Sequence, residues 1–457
     1  MKSLAPIDRS RLPTPGIARP FAFPAISKTT LAGGLRVWTV AHTDVPVLNF
    51  GVLFRRGSAD DPQGKEGLAA ITVDMLDEGS GSRSAIGMHE ALGAVGAHLE
   101  SDIGSDASVL GTTVLSRYAA EALRLMGDIA ARPSLRDDDF ERVRQLRLNR
   151  LRQLRDMPGV VADRAFTRLL YGAHPYGHTP LGTEATLTSI SPDDVREFHA
   201  GMLRPSEATL IAVGDCDHDS IVRFAEEAFA GWTGAAARPL PADVAAATPP
   251  RLAVVPRAKA PQSELRIGHV SVDRHTPDYH ALVAANMVLG GQFVSRVNLN
   301  LREEKGITYG ARTGFDFRRL PGPFALNVSV QTAATAVAIT ESMKEIAAIR
   351  GPRPVSAEEL ALGVASLTRG YARGFETAEQ IARAIAQIAL YDLPDNYFAE
   401  FIPAVERLTP DDVTRAAAAH LNPDALTALI VGDFEAIRPS LHALALGEAV
   451  VLGADTL

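Results

Sequence analysis

Few residues of this chain have the types and spacing that chemistry requires. In Gly67-Leu-Ala-Ala70-Ile-Thr-Val73-Asp74, positions 70 and 74 lie one helical turn apart and share a face, the spacing two metal-binding side chains would need. Only Asp74 carries an atom able to ligate. Ala70 and Val73 can neither hold a metal nor move a proton, and one carboxylate does not make a zinc site. His174-Pro-Tyr-Gly-His178 repeats the four-residue spacing, but Pro175 and Gly177 set it on a turn rather than on one helix face. His89 and His98 have no ligand spacing and read as structural. Cys216 is the single cysteine, which excludes an intrachain disulfide and a cysteine zinc site. Beside Asp215 and His218 it resembles a nucleophile, although a buried or loop thiol is the simpler reading. Gly290-Gly291 is not followed by the Lys-Ser/Thr of a phosphate loop. Arg302 and Tyr309 stand seven residues apart; taken alone, Arg302 beside Glu303 and Glu304 reads as a surface ion-pair residue and Tyr309 as half-buried core.

The elements that must position these residues belong to an ordinary globular chain. Its 457 residues allow two to four domains, and a 46% apolar, 22% charged composition can build sizeable cores. A net charge of -8 disfavours a nucleic-acid partner. The one basic run, Arg142 to Arg155, keeps Val143, Leu146, Leu148, Leu151 and Leu154 at roughly helical spacing and reads as a solvated helix face. No stretch is long and apolar enough for a membrane span. The start lacks an apolar signal core, so the expected compartment is cytoplasmic, or periplasmic if the native start carries a signal peptide. Strands are expected over 35–40, 47–55, 97–102 and 107–115, and helices near 67–78, 84–94, 117–131 and 137–156.

The chain also repeats itself. Ser191-Pro-Asp-Asp-Val195 recurs as Thr409-Pro-Asp-Asp-Val413, each a helix start with a hydroxyl cap, Pro in the first turn and acids behind it. The register continues without a gap to Val213-Gly-Asp215 and Val431-Gly-Asp433, with eleven of twenty-five pairs identical. Each copy reads as a helix, a Pro turn and a buried strand. Two homologous domains are expected at 20–233 and 253–445, joined by a Pro/Ala-rich linker at 234–252. The expected fold class is α+β, each domain a mostly antiparallel sheet with helices packed on one face.

Several motifs fall in one order: Gly57-Ser-Ala-Asp60 through Gly67-Leu-Ala, Gly93-Ala-Val-Gly96 through Ser101, and His174-Pro-Tyr-Gly177 through Leu181-Gly-Thr183. The second half adds Leu289-Gly-Gly-Gln-Phe-Val-Ser295 through Arg302 and Gly306-Ile-Thr-Tyr309. Over residues 28–440 the chain resembles the pitrilysin-type (inverted-zincin) metallopeptidases, the group of mitochondrial processing peptidase and insulysin. The resemblance implies a clam-shell of the two domains. In that family the first motif reads Gly-Leu-Ala-His-x-x-Glu-His, so the ligand and base positions are Ala70, Val73 and Asp74 here. The family's third ligand, a Glu roughly 75 residues later, falls near Arg150. All four functional positions are therefore replaced, and no metal or other cofactor is expected in this chain.

The second-domain pair is kept. By resemblance, Arg302 and Tyr309 reach a bound peptide and hold the carbonyl oxygen as charge develops on it. The segment Gly96, Ala97, His98, Leu99, Glu100 and Ser101 matches the family's substrate-pairing edge strand. Some relatives divide the work between two chains, and this chain resembles the one that lacks zinc. The implied partner is a homologous subunit carrying H-x-x-E-H and the zinc, in a heterodimer or larger assembly acting on a peptide substrate. The alternative is a catalytically inactive scaffold or peptide-binding protein of the same fold. An independent enzyme with a relocated site finds no supporting constellation.

Overall fold

A computed structural model describes residue 10, residues 21–234 and residues 248–453. Most of the expected linker, 235–247, and the expected domain start at residue 20 lie outside the described residues.

Two six-stranded sheets organise the chain. In the first, the order across the sheet is Ser27–Thr30, Arg36–Ala41, Ala208–Gly214, Val47–Phe54, Ser108–Leu115 and Glu100–Ile103. In the second it is Val450–Val451, Leu252–Pro256, Thr427–Gly432, Gln262–Val270, Pro323–Gln331 and Ala311–Phe315, reading from the opposite edge. Pairing is mostly antiparallel. The parallel neighbours Arg36–Ala41/Ala208–Gly214 and Leu252–Pro256/Thr427–Gly432 occupy equivalent places in the two sheets. Ala208–Gly214 and Thr427–Gly432 are buried at every residue, which explains why each reads as an unbroken apolar run rather than an alternating one.

The repeated helix starts fold alike. Ser191 Oγ accepts from Asp194 N (3.2 Å) while Asp194 Oδ2 accepts from Ser191 N (2.7 Å). Thr409 and Asp412 repeat this exchange at 3.2 and 3.0 Å. These reciprocal caps satisfy first-turn N–H groups that the helix cannot.

Each sheet buries one face under its own helices. On the first sheet these include Leu68–Asp74, Ala119–Ala131, Asp137–Leu154 and His218–Ala228, packed over Leu48, Phe50, Val52 and Leu110. The other face is covered as well, by a helix from the opposite half. Ala378–Tyr391 lays Ile381, Ile385 and Ile388 on Trp38, Leu53, Ile211 and Val213 of the first sheet. Reciprocally, Pro158–Tyr171 sets Ala162, Ala165 and Phe166 against Ala253, Val255, Leu429 and Val431 of the second.

A polar joint reinforces this exchange. Asp106, in the turn after Glu100–Ile103, accepts the O–H of Tyr176 in its own half (2.5 Å) and the Arg319 N–H of the other half (2.8 Å), whose Leu320 N–H in turn donates to Tyr176. Burial, then the Asp106 charge, pushes the Tyr176 phenol far above its ordinary pKa, so it stays a donor.

Buried imidazoles set an acid limit. His269 Nδ1 lies 2.7 Å from the Val270 carbonyl, and Nε2 accepts the Asn422 N–H at 3.1 Å. A second ring proton would face that N–H. Burial lowers the His269 pKa, and likewise that of His199, which sits 3.0 Å from the Ala130 carbonyl. Both rings protonate more readily in the unfolded chain. Their contribution is therefore complete above the unfolded value of about 6.5 and is lost as pH falls through the lowered folded values. Urea unfolding at about pH 7.5 and about pH 5.5 should show stability falling on acidification, with a smaller fall in His269→Gln.

Candidate functional site

The helix Leu68–Asp74 is laid down by what precedes it. Gly67 takes φ 100°, a conformation that suits glycine, and an added Cβ there would meet Leu187 Cδ2 at 3.0 Å. Asp61 has a fully buried side chain, accepting the N–H groups of Gly67 (2.7 Å) and Ala69 (2.6 Å) and lying 3.1 Å from His178 Nε2. Burial, ahead of these bonds, raises the Asp61 pKa. The pair explains His178 as a support of this helix, joined across more than a hundred residues.

On the helix, Ala70 is 0% exposed and Val73 3%, and Val73 belongs to the core under the first sheet. Asp74 is partly exposed and is held by Arg147, whose other nitrogen donates to the Pro180 carbonyl at 2.8 Å. The position reached by counting, Arg150, is exposed on the same helix; the cation that faces Asp74 stands three residues earlier. These residues do not fit a zinc ion. The two inner positions are filled by hydrocarbon, and the one carboxylate is committed to a guanidinium. Ala70→His should therefore cost about 1–3 kcal/mol, the range for overpacking a filled core, and confer no zinc affinity. Urea unfolding and metal titration of that variant check both halves of the statement.

Other acid–base candidates are also accounted for. Cys216 is partly buried, and burial followed by Asp215 and Asp217 pushes its thiol up to about 11, the reverse of an activated nucleophile. The basic helix Asp137–Leu154 spends four of its five arginines on ion pairs: Arg142 on Glu78, Arg144 on Glu141, Arg147 on Asp74 and Arg152 on Glu184.

The second-half pair is built differently. After Ser295 the chain turns helical at Arg296–Asn298, then widens to i→i+5 bonding over Leu299–Glu304, which carries Arg302. Arg296 anchors the segment through Glu359 (2.6 Å) and the carbonyls of Arg353 and Pro354 (2.6 and 2.9 Å). Asn298 clamps it to the next strand, donating to Ala311 O and accepting from Ala311 N, both at 2.9 Å. The Arg302 guanidinium stacks over the Phe293 ring, 3.8 Å from its centroid, and lies 3.3 Å from Glu303. Thr308 pins the following turn by donating to Ser329 O at 2.8 Å.

That turn leaves Tyr309 93% exposed, so the half-buried reading is overturned. Tyr309 and Phe293 line a cleft of about 840 Å³ together with Arg312, Gln292 and Asn327. The cleft lies beside Ala311–Phe315, the edge of the second sheet.

The first sheet has the equivalent edge, Glu100–Ile103. The expected pairing segment is only partly strand: Glu100 and Ser101 are in it, while Gly96, at φ 69°, and Ala97 to Leu99 form the approach. Ala97 is buried and His98 exposed. Gly96, His98, Glu100 and Ser101 border a cleft of about 700 Å³ roofed by Glu379, Arg383 and Gln387. Among the described residues no hydrogen bond, ion pair or ring contact joins Leu68–Asp74 to Arg302 or Tyr309, and no cluster of three or more His, Cys, Asp or Glu suits a metal.

A family model described as insulinase (peptidase family M16) matches residues 36–184, and one described as the peptidase M16 inactive domain matches residues 189–367. An uncharacterized zinc protease of Mycobacterium tuberculosis is 25% identical over 415 residues, 90% of this chain and 94% of its own. The mitochondrial-processing peptidase subunit beta of Lentinula edodes is 25% identical over 268 residues, 57% of each. A crystal structure of a peptidase M16 inactive domain from Pseudomonas fluorescens matches with a TM-score of 0.83 at 24% identity, covering 89% of this chain and 98% of that one. A protease from Helicobacter pylori gives 0.81 at 18%, covering 89% and 99%. These two likenesses concern the fold. No helix among the described residues is long and apolar enough to cross a membrane.

Proposed function

Since the chain belongs to the M16 (insulinase) peptidase family, we propose that it is the non-zinc-binding subunit of a heteromeric metallopeptidase. A homologous partner carrying H-x-x-E-H holds the zinc, which supplies Lewis acidity and the activated water. This chain supplies Arg302 and Tyr309. The phenol O–H and the guanidinium N–H groups donate to the carbonyl oxygen of the bound peptide and hold it as negative charge grows there.

The observation that carries this reading is the contrast between the two motifs. The helix that should hold the metal is packed with Ala70 and Val73 and closed by the Asp74–Arg147 pair. The phenol that should reach a peptide stands free of its own core. A residue kept only for packing would not be set out in solvent on a pinned turn. Extended peptide would add along Glu100–Ile103 through main-chain hydrogen bonds, and Arg302 is stacked on Phe293 with only the exposed Glu303 carboxylate beside it.

Mixing tests the division of labour. Neither this chain nor an H-x-x-E-H homologue alone should cleave a quenched fluorescent peptide, and the two together should co-elute and cleave it. A homologue that is fully active alone, and indifferent to this chain, would favour the scaffold instead.

A further inference from the structure

A third cavity, of about 270 Å³, lies beside the loop that precedes Leu68–Asp74, away from both clefts, and its wall includes Arg164, Arg168, His178 and Glu66. The two arginines are one turn apart on Pro158–Tyr171, an arrangement in which like charges repel. Arg164 donates to the Gly182 carbonyl at 2.7 Å and Arg168 to the Gly172 carbonyl at 3.1 Å, which leaves most of their N–H groups uncommitted.

Among the described residues neither arginine has a carboxylate within ion-pair distance. Nearby Arg155 has one: it pairs with Glu184 at 2.9 Å. Burial, then the Arg155 charge, lowers the pKa of Arg164, whose charge is met by the Gly182 carbonyl and by no paired carboxylate. Glu66 is in the wall but accepts the Gly64 N–H at 3.2 Å. The hydroxyls of Thr183 and Thr186, also in the wall, are engaged with each other and with the Glu66 carbonyl.

We propose that this cavity binds a small oxyanion of the phosphate class between Arg164 and Arg168. One guanidinium satisfies the two oxygens of a carboxylate, whereas two forks a turn apart match the three or four oxygens of a tetrahedral anion. The proposal is independent of the peptidase reading.

Isothermal titration of the full chain with inorganic phosphate, at fixed ionic strength, tests it, with acetate as the second arm. Saturable 1:1 phosphate binding is expected. Arg168→Gln, at an exposed helical position, should weaken it at least roughly tenfold, the worth of one hydrogen bond to a charged group. Glu66→Gln should tighten it, since the amide oxygen can still accept from Gly64 while the repelling charge is gone. Arg383→Gln, on a distant helix, should leave it unchanged. No saturable phosphate binding, binding that survives Arg168→Gln intact, or acetate binding as tightly would each overturn the proposal.

Discussion

In the assembled peptidase, Tyr309→Phe and Arg302→Ala are each expected to lower kcat by roughly 10²–10³, the cost of deleting one oxyanion donor. The loss should fall on kcat more than on KM, because the hydrogen bond strengthens as the carbonyl oxygen gains charge. Tyr309→Phe should leave the thermal midpoint of the isolated chain unchanged, since the lost hydroxyl sits on an exposed ring. Arg302→Lys should recover little, because an ammonium cannot keep both the flat stack on Phe293 and a fork of donors. Steady-state kinetics of the reconstituted complex check all three. Rates equal to wild type would remove these side chains from the chemistry and leave the fold without a catalytic role.

Asp106→Ala should be the most damaging change away from that site. It leaves the Tyr176 O–H, whose ring is fully buried, and the Arg319 N–H without their acceptor, and hydrogen bonds to a charged group are worth about 1.5–3 kcal/mol each. A loss of about 3 kcal/mol or more is expected in urea unfolding. The position of Asp106 between the halves adds a second signature. The transition should broaden as the two sheets become less tightly coupled, their other ties being the exchanged helices and ion pairs such as Arg55–Asp392 and Lys28–Asp395. Tyr176→Phe keeps the packing and should cost less. A wild-type transition in Asp106→Ala would show that this buried carboxylate is not needed to join the halves.

Much of this architecture was legible in the residues. The Ser191 and Thr409 repeats name their own caps, and the runs at 208–214 and 427–432 announce strands buried on both faces. The helix exchange was not legible, because periodicity shows that Ile381, Ile385 and Ile388 face a core and not whose core it is. The partner of Asp74 was not legible either. Counting reaches Arg150, but a helix rotates about 100° per residue, so three residues decide whether a side chain faces Asp74, and Arg147 does. Leu146 shows the same limit: it keeps the apolar spacing of its neighbours and is nevertheless exposed. The 67–78 helix stops at Asp74. Tyr309 looked like core from its type alone; the turn pinned by Thr308 turns it out. Phe293, Asp61 and His178 lie within the quoted motifs, but their pairings with Arg302 and with each other are tertiary contacts that spacing does not show.

Elemental analysis by mass spectrometry, on this chain alone and on its complex with an H-x-x-E-H homologue, addresses the division of labour most directly. Buried Ala70 and Val73 and the Arg147-bound Asp74 predict no stoichiometric zinc in the isolated chain, with the metal in the complex assigned to the partner and unaffected by Asp74→Asn. One tightly held zinc per isolated chain, lost on Asp74→Asn, would contradict it.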